Sequence, residues 1–548
     1  MSYDVIVIGS GGAGLTAAVT AAHKGLKVLV LEKMNHFGGT TAVSGGGVWI
    51  PGNRHAMAAG IVDPVPVARQ YILDAVGEGV RPELVDAYLG NGPAMIDFLA
   101  GKTQVNFVNA PPSWDWYPDI PGARDTGRLL AICEYDGKKL GKAFADLTPA
   151  RTEFNAPGGF MIDLFDLPHL AGIGKSLTST LYMGKLVLRF LADRLRGYPR
   201  GTRLTMGNAL AARLIRSALD AGVELRKSVS VAGLQIDHGR VSGVTLPGGE
   251  TVLASKGVVL ATGGWSMNPQ LRKAYMPFAD DHVSIMQAGS TGDGMNLALD
   301  NGAVVDGVNH GGNGVWAVVS TLKREDGSLA RYAHLIDMAK PGCIAVNARG
   351  ERFGNEASPM FAEAMHKTAS VPAWLVADAS FVKSYGLGMV FPGGGGLKKL
   401  LAAGYIVEAP TLAALAAKIG IDATGLATSV AQVNRDAPGG IDTGFAKGAT
   451  AIDREMGDPV HAINPCFGSC ATAPFYAVKI FPGDGSSTVG LRIDARMRVL
   501  DGKDAVIGGL YAVGLDANSI WRGRSPAHGC NIGPAMVTGY VAGCTLAT

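Results

Sequence analysis

The chain has little of what a metal site, a disulfide scaffold or a membrane span would need. Its six cysteines, Cys133, Cys343, Cys466, Cys470, Cys530 and Cys544, are scattered through 548 residues. Cys466 and Cys470 stand close together, but no second cysteine or histidine pair completes a ligand set. No metal is expected, and reduced thiols fit a cytoplasmic protein. No run is both long enough and uncharged enough to cross a bilayer, and the first strand starts almost at Met1, which predicts no leader. A formal net charge of +3 without a long basic run argues against nucleic acid as a partner. Glycine, by contrast, is abundant at 77 residues, as expected where backbone approaches a large ligand.

The first of those glycines organise the chain. Val5–Ile8 reads as a buried parallel strand that stops at Gly9-Ser10-Gly11-Gly12-Ala13-Gly14 and turns into the small-residue helix Leu15–Ala22. Gly9 permits the tight turn, Gly11 lets backbone approach a pyrophosphate, and Gly14 allows close helix–strand packing. The helix N-terminus offers free N–H groups to phosphate. A second strand ends at Glu32, whose carboxylate can accept from a ribose 2′-hydroxyl and disfavours a 2′-phosphate. Gly9 to Glu32 alone permits NAD or FAD.

Farther on, Gly38-Gly39-Thr40-Thr41-Ala42-Val43-Ser44-Gly45-Gly46-Gly47 cannot be a stable helix and reads as a loop lying along a flat ligand. Gly257–Gly264 is a buried strand running into a glycine turn, and Cys530-Asn531-Ile532-Gly533-Pro534-Ala535-Met536 opens a last helix. These runs together resemble FAD enzymes of the fumarate reductase flavoprotein superfamily, and within it the 3-ketosteroid Δ1-dehydrogenase branch. The resemblance implies an α/β fold: a Rossmann-like FAD-binding domain of the glutathione-reductase type, with an inserted α+β substrate-capping domain. Its expected bounds are 1–279 and 491–548 for the FAD domain and 280–490 for the cap. FAD, held non-covalently, is the implied cofactor. Gly9, Gly11, Gly12, Ala13, Gly14, Glu32 and Lys33 would contact it, as would Gly39, Thr40, Thr41, Ser44, Gly45 and Gly46. Val231 would lie at the adenine, Ala261, Thr262, Gly263 and Asp516 along the nucleotide, and Asn531 and Ile532 at the flavin, where the last helix dipole stabilises negative charge.

Relatives on this branch remove two hydrogens from adjacent carbons next to a ketone. A base takes the α-proton, donors hold the developing enolate, and flavin N5 accepts the β-hydride. In the steroid enzymes tyrosines do most of this, helped by one glycine N–H. Here Trp116 stands where a tyrosine is expected, with Tyr117 beside it. Met360 falls where Asn355-Glu356-Ala357-Ser358-Pro359 leads the resemblance to expect a tyrosine base, and Ser525 replaces a third. Gly529 remains as the backbone donor. Ser525 and Gly529 would hold the ketone oxygen, with Tyr117 or His528 as base. Trp116, Met360 and Trp521 would line the substrate site. Arg522 and Arg524 could grip a carboxylate bidentately, which points to a small cyclic ketone or oxo-acid such as an oxocyclohexanecarboxylate. The alternatives are a 3-oxosteroid 1-dehydrogenase with substituted tyrosines, a fumarate reductase-like ene-reductase, and a non-catalytic flavin electron carrier. An external acceptor, whether quinone, carrier or oxygen, is required for the oxidative readings.

One segment bears on membranes. Across Leu181–Arg196, Leu181, Leu188, Leu191 and Leu195 share a helical face, with Lys185, Arg189 and Arg196 on another. It reads either as a helix packed on its own protein or as a membrane-surface contact.

Overall fold

The computed structural model describes residues 2–152, 155, 160–163, 165–307 and 314–548. Ser2–Ile8 lies inside an eight-stranded sheet, paired in parallel with Val28–Glu32 on one side and Thr251–Leu260 on the other. Glu224–Lys227 extends the first side and Val506–Ala512 the second, again in parallel. Strand order therefore reverses at Ser2–Ile8, and the carboxyl ends of the flanking strands open a crevice of the kind where ligands bind in such sheets. Val5, Ile6 and Val7 are buried completely, which is why this run is apolar without alternation. In Glu224–Lys227 only those four residues pair, and the chain then leaves the sheet toward Val229–Val231 at the crevice.

Helix Gly12–His23 packs against the last helix, Ile532–Leu546, through small residues. A Cβ on Gly539 would stand 2.2 Å from the Ala13 carbonyl oxygen, so the two backbones meet almost directly. This contact joins the first and last segments of the chain in one core.

A second, seven-stranded and mainly antiparallel sheet is built from strands between Val283 and Ser487, with Phe475–Ser487 as its central member. Gly314–Lys323, Ala373–Asp378 and Ile406–Ala409 all pair antiparallel with that strand. Its core contains Phe353, Phe361, Phe381, Leu375 and Val478. The architecture is thus the α/β fold with an inserted α+β unit that the sequence indicated.

An ion-pair cluster around Arg352 braces this inserted unit. The Arg352 guanidinium grips Glu356 at 2.8 and 2.9 Å and Asp442 at 2.9 Å, and all three side chains are buried. Removing one member leaves an uncompensated buried charge. Arg352→Ala is expected to destabilise the cap by about 3–5 kcal/mol, measured as a lowered midpoint of denaturant unfolding.

Candidate active site

A cavity of about 1230 Å³ opens at the carboxyl ends of the parallel strands and continues between the two units. Its nucleotide end is built from glycines of two kinds. Gly9 has φ +106°, and a Cβ there would lie 2.2 Å from the Ala261 oxygen. One on Gly14 would lie 2.2 Å from the Gly9 oxygen. These two positions press strand and helix together. Gly11 and Gly45 line the cavity instead: a Cβ on Gly45 meets nothing within 4 Å, and one on Gly11 meets only Thr41 Oγ1 at 3.9 Å. Side chains there would project into the space that a phosphate needs.

The rest of the nucleotide end is lined by further small and polar residues. Gly12, Ala13, Gly39, Thr40, Thr41, Ser44, Gly46, Val231, Ala261, Thr262, Gly263, Asn531 and Ile532 all line the cavity. Thr41 Oγ1 accepts from the Gly12 N–H at 2.9 Å, fastening one glycine loop to the other. Glu32 reaches the lining and is fixed there by the Ser10 hydroxyl at 2.6 Å and the Met34 N–H at 2.9 Å. Lys33 also lines the cavity, paired with Asp293 at 2.7 Å. An acid poised for a ribose, a glycine cradle and a helix N-terminus fit FAD. Gly14, packed on the Gly9 carbonyl, lies outside the lining, and so does Asp516. It sits behind the wall, accepting from the Thr262 hydroxyl at 2.8 Å and the Gly264 N–H at 3.2 Å, so it shapes the Thr262 turn rather than touching the ligand. Burial pushes its carboxyl up to about 6.

At the substrate end, Trp116, His528 and Gly529 line the cavity, and the Trp116 and His528 rings meet edge to face at 5.1 Å. Gly529 has φ +78°, and a Cβ would strike Trp49 N at 2.9 Å, so only glycine fits. Its N–H has no acceptor among the described residues, which leaves a donor at the cavity wall.

Six expected substrate residues lie elsewhere. Arg522 donates from Nε to the Gly79 oxygen at 2.7 Å and pairs with Asp306 at 3.2 Å, which consumes its guanidinium structurally. Trp521 is buried edge-on against Tyr88 and Trp49 and donates to the Cys530 oxygen at 2.6 Å. Ser525 is buried against the Cys530 thiol, whose pKa burial lifts to about 11. Arg524 stands by Tyr117 behind the Trp116 wall, and neither lines the cavity. Burial raises the Tyr117 phenol above its ordinary value, with the Arg524 charge opposing, so it rests protonated. Met360 caps the Phe361–Lys367 helix, while Ser358, Pro359 and Phe361 form the wall around it. No arginine lines the cavity among the described residues, so the arginine grip on a carboxylate is not formed there.

The inserted unit contributes groups that sequence reasoning missed. Tyr332, on the Leu329–Ala333 strand, and His334 just after it both line the cavity, their rings edge to face at 5.1 Å. His334 is locked by Asp337 at 2.7 Å and Ser320 at 2.8 Å, and Ser320 by the Tyr405 hydroxyl at 2.7 Å. Burial raises Tyr332 well above an ordinary phenol, so it stays protonated and can donate. Glu455, ending the Ala451–Glu455 helix, lines the cavity and accepts from the Trp114 N–H at 2.9 Å, bridging the inserted unit to the loop that carries Trp116. Burial lowers the His528 imidazole below its usual value, and the Glu455 charge opposes that fall. Nothing marks these residues in sequence: Tyr332 sits in an unpunctuated strand, and Glu455 in an Asp-Arg-Glu run that reads as solvated surface.

The FAD binding domain family model matches residues 4–532. The 4-oxocyclohex-2-ene-1-carboxylate 5-dehydrogenase of Sinomonas cyclohexanicum is 36% identical over 99% of this chain and 93% of its own length. The 3-oxosteroid 1-dehydrogenase of Mycolicibacterium smegmatis is 34% identical over 100% of this chain and 97% of its own. Among solved structures, 3-ketosteroid delta1-dehydrogenase from Sterolibacterium denitrificans, in complex with 1,4-androstadiene-3,17-dione, superposes with a TM-score of 0.90. It is 33% identical and covers 100% of this chain and 99% of that one.

Proposed function

The chain belongs to the 3-ketosteroid Δ1-dehydrogenase-like branch of the FAD binding domain family, and from that premise we propose that it desaturates an apolar cyclic ketone next to its carbonyl. It is an FAD-dependent oxidoreductase acting on CH–CH groups. The observation that carries the finer reading is that a glycine-cradled nucleotide end, the Gly529 N–H, His528 and the cap's Tyr332 share one cavity.

FAD, when bound, supplies the hydride acceptor. The protein's own residues handle the carbonyl and the proton. The Gly529 N–H and the protonated Tyr332 hydroxyl donate to the ketone oxygen and stabilise the charge that develops on it. His528, kept neutral by burial, takes the α-proton. The resulting imidazolium is stabilised by the Glu455 carboxylate, and Trp116 packs against its edge. Leu335, Ile336 and Phe391 line the same cavity and are partly exposed, giving it an apolar rim that suits an uncharged substrate body.

The kcat/KM profile is therefore expected to fall only as pH drops through a value below the ordinary imidazole 6.5. Glu455→Gln keeps an oxygen for the Trp114 N–H but removes the charge. It should move that acidic limb to still lower pH and reduce kcat roughly tenfold. An unchanged profile would count against the pairing.

A second reading, favoured by the 36% identical relative, is an oxo-acid substrate. Steady-state turnover with an artificial electron acceptor separates the two. A neutral cyclic ketone should give its enone with a kcat/KM at least about tenfold above that of the matching ring carboxylate, since no guanidinium among the described residues lines the cavity. The opposite ranking favours the oxo-acid.

A further inference from the structure

Most leucines of a helix that packs on its own protein turn inward, but here a whole row turns outward. In the Leu177–Leu195 helix, Leu177, Leu181, Leu188, Leu191 and Leu195 are between 49% and 89% exposed. At 3.6 residues per turn they form one stripe along a helix about 28 Å long. The opposite face does the packing: Met183, Ser179 and Asp193 are buried. Lys185 and Arg194, both exposed, flank the leucine stripe on its two sides.

The exposed charges within this segment share one sign, while Glu134 and Asp136 beside it are paired with Arg189. Between 165 and 197 the exposed charged residues are Lys175, Lys185, Arg194 and Arg196. The two acids in that span are buried and engaged: Asp166 with Arg203 at 2.8 Å, and Asp193 with Lys138 at 3.1 Å. An apolar stripe edged by cations, with no exposed carboxylate among the described residues of that span, matches the interfacial region of an anionic bilayer.

The surface also leads into the cavity. The short helix Leu167–Ala171 is fastened to the longer one by the stacked His169 and Tyr182 rings at 4.2 Å and by Tyr182 donating to Asp166 at 2.7 Å. Leu167 and Leu170 on this short helix are partly exposed and also line the cavity. We propose that the Leu177–Leu195 helix lies in the surface of an anionic membrane and holds the cavity mouth, at Leu167 and Leu170, against the bilayer. No helix among the described residues is long and apolar enough to cross a membrane, so the contact is a surface one.

The test is cosedimentation of the full-length holoenzyme with vesicles of phosphatidylcholine, alone or with about one third phosphatidylglycerol. The wild type should pellet with the anionic vesicles and be released by roughly 0.5 M salt. A Leu181→Ser/Leu188→Ser/Leu195→Ser variant should retain its flavin spectrum and its kcat on a water-soluble ketone, yet bind those vesicles at least about tenfold more weakly. Lys175→Gln/Lys185→Gln, both exposed and off the packed face, should likewise weaken binding to anionic vesicles about tenfold. The proposal is overturned if the wild type stays in the supernatant, or if both variants pellet like wild type. It is equally overturned if the leucine face proves to hold two copies together, seen as a dimer that the triple substitution converts to monomer without any vesicle binding.

Discussion

Replacing His528 by asparagine is expected to lower kcat about 10²–10⁴-fold, the usual worth of a positioned general base, while leaving FAD bound. The ring lines the cavity beside the Gly529 donor, packs edge-on against Trp116, and is neutral because burial opposes its charging. Asparagine preserves much of the size and polarity but has no basic nitrogen. Tyr332→Phe removes a donor rather than a base, and about 10²–10³-fold is expected from its loss. The two are distinguishable by substrate deuteration at the α-carbon. With His528→Asn, proton removal becomes limiting and the isotope effect grows. An unchanged kcat in His528→Asn would move the base to another cavity group.

The second large effect concerns the two kinds of glycine. Gly11→Val should give a folded but colourless protein. Its Cβ meets only Thr41 Oγ1 at 3.9 Å, so the fold tolerates it, yet the side chain enters the nucleotide end of the cavity. Gly14→Val should instead fail to fold or lose several kcal/mol, because its Cβ would sit 2.2 Å from the Gly9 oxygen, with the Ala261 Cβ at 3.1 Å. Flavin absorbance and thermal unfolding, measured on both, read the difference directly. Yellow Gly11→Val protein would contradict the placement of the phosphate path along that glycine.

The contrast shows what could be read from the chain itself. The nucleotide end obeys local rules: an apolar run, a glycine spacing, a helix start and an acid at the end of the next strand follow one another within a short stretch. Each has a direct physical reason, and Gly9, Gly11, Gly12 and Glu32 line the cavity. Glu32 lines the cavity while the Ser10 hydroxyl and the Met34 N–H hold it. The substrate end is assembled from distant segments, and there local reading fails. Arg522 and Arg524 look like anion-binding residues in a loop. Arg522 instead answers Asp306, more than two hundred residues away, and Arg524 lies beside Tyr117. Met360 sits where a motif pointed, but it caps the helix that starts at Phe361, and its neighbours form the wall instead. Tyr332 and Glu455 become visible only once the second sheet folds over the first. The Leu181–Leu195 periodicity was legible as amphipathic; which face meets the protein was not, because that depends on Met183 and Asp193 finding partners elsewhere.

The most direct measurement is anaerobic reduction of the bound flavin by a panel of saturated cyclic ketones, followed at the flavin absorbance band. Bleaching by neutral ketones bearing an α-proton, with the enone recovered in equal amount and the bleaching abolished in His528→Asn, is the expected result. A spectrum left unchanged by every cyclic ketone, or a reduced flavin reoxidised by enones with no bleaching in the forward direction, would contradict dehydrogenation as the reaction of this site.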